Sequence, residues 1–117
     1  MLNRLVEVDV IFHALADPTR RGIVERLGRG PASVSELAKP LPMSLPAVVQ
    51  HLHVLEGSGL VRSDKVGRVR TCHLEVETLG TIQEWITARR AGWERRLDRL
   101  GKYLAAEAEN PTKETEQ

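Results

Sequence analysis

One cysteine, Cys72, stands alone in 117 residues, which excludes an intramolecular disulfide framework and points to a reducing compartment. No apolar run approaches the roughly 20 residues of a membrane-spanning helix. The first residues lack the basic segment, apolar stretch and cleavage site of a secretory leader, so a cytoplasmic chain without membrane contact is expected. Also missing are a nucleophile beside a base, a glycine-rich phosphate loop and paired carboxylates in a plausible cleft, which argues against an enzyme. Nor is there a large charge excess: 17 Lys and Arg face 16 Asp and Glu. The balance is nevertheless uneven, because residues 1 to 106 carry 16 basic and 12 acidic side chains and the remainder is acidic. The part expected to fold is therefore moderately basic, which permits phosphate contacts without requiring them.

At this length one domain is expected. Leu5, Val8, Ile11, Phe12 and Leu15 share one helical stripe and predict a first helix over 5–15. Asp17 suits an N-cap with Pro18 at the first helical position, and Ile23, Val24 and Leu27 give a second helix over about 18–28 before Gly28 and Gly30 stop it. Its polar face carries Arg20, Arg21, Arg26 and Arg29 with Glu25, read first as a solvated surface and alternatively as a phosphate contact. Ser33 and Glu36 have the spacing of a capping box, so a short third helix spans about 34–38 until Pro40 and Pro42 forbid its continuation.

The run Glu36 to Val61, ELAKPLPMSLPAVVQHLHVLEGSGLV, then reads as a helix-turn-helix. Ser44 is a candidate N-cap and Pro46 falls in the first turn, where a missing N–H costs little. Leu45, Val48, Leu52 and Leu55 recur every three or four residues and should be buried. Pro46, Val49, Gln50 and His53 then point away from the core, as a helix that reads a DNA groove requires. Beyond Gly59, Leu60 to Ser63 and Val69 to Leu74 are strand candidates around a turn containing Gly67. A hairpin placed there is a wing, whose Lys65, Arg68 and Arg70 suit the phosphate backbone or the minor groove. From Thr78, a candidate cap, Leu79, Ile82, Ile86, Trp93, Leu97, Leu100 and Leu104 mark an amphipathic helix of about 25 residues, roughly 38 Å long. That is too long for so small a body to cover, so its stripe, with Trp85 and Trp93, is expected to pack partly on a second subunit beside the first helix. From Ala105 onward the chain turns polar, which sets the expected domain at 1–105 and a disordered acidic tail at 106–117.

With the helix ALADPTRRGIVERL, the run SLPAVVQHLHVLEGSGLV, the basic hairpin and the long terminal helix in this order, the chain resembles the ArsR family of winged helix-turn-helix repressors over about residues 8–104. The resemblance implies a mainly α fold with a small β-hairpin, a homodimer joined through the first and last helices, and recognition helices in successive major grooves of double-stranded DNA. It implies repression of a promoter, often the regulator's own. On this reading the DNA-contacting residues are Ser44, Pro46, Ala47, Val49, Gln50, His53, Lys65, Arg68 and Arg70. The dimer interface comprises Leu5, Val8, Phe12, Ile82, Trp85, Ile86, Trp93, Leu97 and Leu100.

Many members of that family sense metals, and here the ligands are missing. Where the family's sensor site follows Glu-Leu with a cysteine-containing run, this chain has Glu36-Leu37-Ala38-Lys39-Pro40, and no His follows His73 for the site on the last helix. His51 and His53, two apart on a helix, point about 200° from each other and cannot chelate one ion as an i, i+4 pair can. No cofactor is expected. His51 is read as structural before base contact, His53 as either groove contact or solvated, and Cys72 as packing before redox chemistry. Val49 replaces the Ser common in relatives, so it offers a thymine methyl contact in place of a hydrogen bond, while Gln50 suits adenine N6 and N7. A small organic effector between the terminal helices, a thiol change at Cys72, or no inducer at all are the routes to release. The alternative function is a protein-interaction module that uses the winged fold and long helix to dock a partner.

Overall fold

Side-chain caps decide where several helices begin. In the computed structural model of the protein, which describes residues 2–109 and side chains from residue 7 onward, helix α1 spans Leu2–Leu15 and α2 spans Pro18–Leu27. Asp17 caps α2 by accepting from the Arg20 amide at 3.0 Å, and Pro18 opens the helix without wasting a donor. A two-residue strand β1, Ala32–Ser33, leads into α3, Val34–Ala38, through a complete capping box between Ser33 and Glu36. Ser44 caps α4, Leu45–Gly57, by accepting from the Ala47 amide. Strands β2, Val61–Val66, and β3, Val69–Leu74, form the hairpin, and α5 runs from Val76 to Glu109.

Several boundaries depart from expectation. Strand β2 runs on to Val66, leaving a two-residue turn in which Gly67 alone has positive φ, as a type II′ hairpin needs. Strand β1 has no periodicity to announce it; it pairs antiparallel with β3 and makes a three-stranded sheet in the order β1-β3-β2. Helix α5 has 34 residues, beginning before Thr78 and continuing past the expected limit at 105 as far as Glu109. Thr78 is therefore not its cap. Its hydroxyl instead donates to the Gly59 carbonyl at 2.6 Å, tying the end of α4 to the first turn of α5. The expectations placed on the Leu5 side chain and on residues 110–117 lie outside the described residues.

The chain divides into two compact units, Met1–Ile82 and Gln83–Gln117. In the first, Ile11 and Ala14 of α1, Ile23 and Leu27 of α2, Leu37, and Val48, Leu52 and Leu55 of α4 close one core with Leu60, Val61, Cys72 and Ile82. Leu45, expected on that core face, is 53% exposed. It occupies the first position of α4, a full turn ahead of Val48, where no neighbouring element covers it. Val8 and Ile82, expected in a dimer interface, are 4% and 7% exposed and so already covered within their own chain.

Arg20, Arg21 and Arg26 of α2 hydrogen-bond within the fold, although Arg21 remains exposed. The last carbonyls of α1 lack helical partners, and Arg20 and Arg21 supply them: Arg20 Nε donates to the Ala14 carbonyl at 2.7 Å and Nη2 to that of His13, while Arg21 Nη1 donates to that of Leu15 at 2.8 Å. The positive charges also suit the negative end of that helix. Arg26 donates to the Gly30 carbonyl and lies 3.8 Å from Glu36.

In the second unit the described residues are all helical. Ile86, Trp93, Leu97, Leu100, Tyr103 and Leu104 each stand about half exposed or more. Arg89 sits 4.9 Å from the centroid of the half-buried Trp85 ring, and Arg96 lies 5.6 Å from that of Trp93, both within cation–π range.

Candidate nucleic-acid interface

Helix α4 stops where it must for the hairpin to fold back. Gly59 takes φ 82°, its amide bonds the Glu56 carbonyl, and the Leu60 amide reaches the Leu55 carbonyl. That double bond is a Schellman motif, and it turns the chain directly into β2. Leu60 and Val61 are buried immediately after it, which anchors the base of the hairpin on the core.

Between α4 and the hairpin lies an open cleft of about 510 Å³, lined by Val34, Val49, Leu52, His53, Glu56, Lys65, Arg68 and Arg70. The fold thus gathers Val49 and His53 of the helix with all three expected wing cations. Pro46 and Gln50 are exposed nearer the start of α4, where the exposed Ser44 is occupied as a cap and Ala47 is half-buried. Glu56 lines the same cleft and Ser63 bonds to it, and neither was expected there. Both show their place only through contacts between helix and strand.

The pleat of the hairpin sorts its charges. Pairing sets Ser63 opposite Cys72 and Lys65 opposite Arg70, so these side chains share the face that looks into the core at the base and the cleft at the tip. The other face carries Arg62, Asp64 and His73, which neutralise one another. Arg62 bonds Asp64 at 2.6 Å and Glu75 at 2.9 Å, and His73 Nε2 lies 3.3 Å from Asp64. Hydrogen bonds from Arg62 to Glu75 and then Asp64 push the guanidinium pKa up. Among the described residues Lys65 and Arg68 make no ion pair, so uncompensated positive charge is concentrated on the cleft side.

Residues 15–64 match a helix-turn-helix domain family. The HTH-type transcriptional regulator Rv2034 of Mycobacterium tuberculosis is 48% identical over 75 residues, which are 64% of this chain and 70% of that protein. A crystal structure of an ArsR family transcriptional regulator superposes with a TM-score of 0.73 at 51% identity, covering 75% of this chain and 97% of that one. The chain belongs to the ArsR family of DNA-binding transcriptional regulators. An ArsR-like regulator from Rhodococcus sp. RHA1 agrees over 84% of this chain and 92% of its own, with a TM-score of 0.74 at 37% identity.

Within this ArsR-family fold the histidines separate by role. His51 is half-buried, with Nδ1 3.2 Å from Arg20 Nη1 and 3.9 Å from Asp17. A guanidinium only donates, so Nδ1 accepts and the ring proton sits on Nε2. His51 therefore joins α4 to the α1–α2 corner, while His53 is exposed on the cleft. Cys72 is fully buried, and burial, with the Glu56 charge second, pushes its thiol pKa up despite an opposing effect of Arg70. A protonated, inaccessible thiol is a packing group. Among the described residues no three His, Cys, Asp or Glu side chains converge as metal ligands would, and no helix is long and apolar enough to cross a membrane.

Proposed function

We propose that the protein is a cytoplasmic homodimeric repressor that binds a palindromic operator, with half-sites about one helical turn apart, and that metal ions do not control it. The observation that carries the DNA-reading part is the cleft between α4 and the hairpin, whose unpaired cations Lys65 and Arg68 stand beside the exposed face of the helix. In this reading α4 enters the major groove. Gln50 reads a base edge, Val49 and Pro46 make apolar contacts, and Ser44, Ala47 and His53 flank them. Lys65, Arg68 and Arg70 hold the backbone.

The dimeric part rests on the exposed apolar side chains of α5. Ile86, Trp93, Leu97 and Leu100 face solvent at a helical repeat, and a second copy would cover them together with the half-buried Trp85. Phe12, 38% exposed on α1, is assigned to the same interface. DNA binding and dimerisation are assigned to one domain that extends past the expected limit at 105 to the end of α5 at Glu109. Repression is the action typical of the family, and of the candidate releasing signals a small organic molecule is preferred to a thiol change at the buried Cys72 or to no inducer.

Selection of bound duplexes from a random pool by the purified full chain tests the reading. A recovered palindrome, bound more tightly than random duplex at moderate salt, is expected; no enrichment would refute it. Sedimentation separates the alternative, a protein-docking module, for which the exposed Trp93 stripe is the motive. A stable dimer supports the repressor, and a monomer that binds DNA poorly supports the module.

A further inference from the structure

A chain of hydrogen bonds crosses the cleft from hairpin to helix. Arg70 Nη1 donates to Ser63 Oγ at 2.8 Å, and the Ser63 hydroxyl donates to Glu56 Oε1 at 2.5 Å. A hydroxyl has one proton and two lone pairs, so giving the proton to Glu56 leaves it free to accept from Arg70.

Two features of this arrangement work against hairpin stability and against plain attraction for DNA. Lys65 and Arg70 are directly opposed like charges, which destabilise a strand pair. Glu56 brings a carboxylate to a cleft otherwise rimmed with cations. Both make sense if the carboxylate's task is to hold an arginine in place. A guanidinium carries five N–H donors in a rigid fork. With Nη1 turned to Ser63, the remaining donors stay available for phosphate oxygens, and a side chain already ordered loses less conformational freedom on binding.

We propose that Ser63 and Glu56 are positioning residues that hold the Arg70 guanidinium ready for one backbone phosphate in the cleft between α4 and the hairpin. This rests on the DNA-binding reading above and adds to it two residues that do not touch DNA. Because a phosphate contact is independent of sequence, a random-sequence duplex is a sufficient probe.

Binding of that fluorescent duplex by the full chain is measured over a range of salt for the unmodified protein, Ser63→Ala, Ser63→Thr, Arg70→Ala and the Ser63→Ala/Arg70→Ala double variant. Urea midpoints confirm that each variant is folded. Ser63→Ala is expected to weaken binding about five-fold, the net worth of one ordinary hydrogen bond, and Ser63→Thr to restore it. Arg70→Ala should lower the slope of log affinity against log salt by about one. In the Arg70→Ala background, Ser63→Ala should cost nothing further. An equal cost of Ser63→Ala with and without Arg70 would overturn the positioning role, as would an Arg70→Ala variant that binds normally while Arg68→Ala does not. Absence of salt-dependent binding by the unmodified protein would instead refute the DNA-binding reading itself.

Discussion

In the proposed reading, Gln50 and Arg68 divide the work of recognition between one neutral amide and one cation. Replacing Gln50 by Ala is expected to flatten the preference between the selected operator and single-base variants, a loss of about 1 to 3 kcal/mol of discrimination at one position. Replacing Arg68 by Ala should weaken binding to every duplex alike and reduce the salt slope by about one. Affinity measured on operator and random duplex for both variants checks the division, and equal losses on all sequences would contradict it. Individual residues were legible where their chemistry is local: the three caps Asp17, Ser33 and Ser44 each do what their spacing predicts. Arg20 was not, because its partners on α1 and α4 lie in other elements and a pattern of charges does not reveal which carbonyls are left over. Leu45 misled for a related reason, since helical periodicity assigns a face but says nothing about how far along that face the core extends.

The elements depend on a few backbone devices. Gly59 is the clearest, because the passage from α4 to the wing requires its positive φ, and a Cβ there would meet the Thr78 hydroxyl at 3.4 Å. Gly59→Ala is expected to destabilise the fold by about 1 to 2 kcal/mol, measured as a lower urea midpoint. The caps also make stability depend on acid. The Arg20 amide holds the Asp17 carboxyl below its ordinary 3.8, and the Ser33 backbone amide and then its hydroxyl hold that of Glu36 below 4.5. Depressed carboxylates stabilise the fold above their unfolded values, and that contribution disappears as pH falls through the lower folded values. The urea midpoint should therefore be level on this account from pH 7 to about 5 and drop below about 4. In Asp17→Asn/Glu36→Gln it should start lower and drop less. At this scale the α2, α3 and α4 segments were readable from caps and spacing. Strand β1 was not, since two residues carry no period, and the start of α5 was misplaced because Thr78 looks like a cap while its hydroxyl is committed to Gly59.

For the whole molecule, the exposed apolar side of α5 sets the expected assembly. Leu97 is 61% exposed, and its replacement by Glu would put charge in the middle of the proposed subunit contact. Leu97→Glu is expected to shift sedimentation from dimer to monomer at micromolar concentration and to weaken operator binding at least ten-fold, since one half-site then binds alone. A variant that stays dimeric would place the subunit contact elsewhere. Gly92 and Gly101 fall within the same continuous helix, and each costs helix stability of about 1 kcal/mol relative to alanine. If a second copy covers the apolar side of this segment, as proposed, pairing stabilises the helix and rises with the number of chains present. Operator occupancy then grows roughly as the square of that number when chains are scarce. A repressor that pairs in this way would respond sharply to small changes in synthesis, through the pairing helix rather than through the helix assigned to reading DNA.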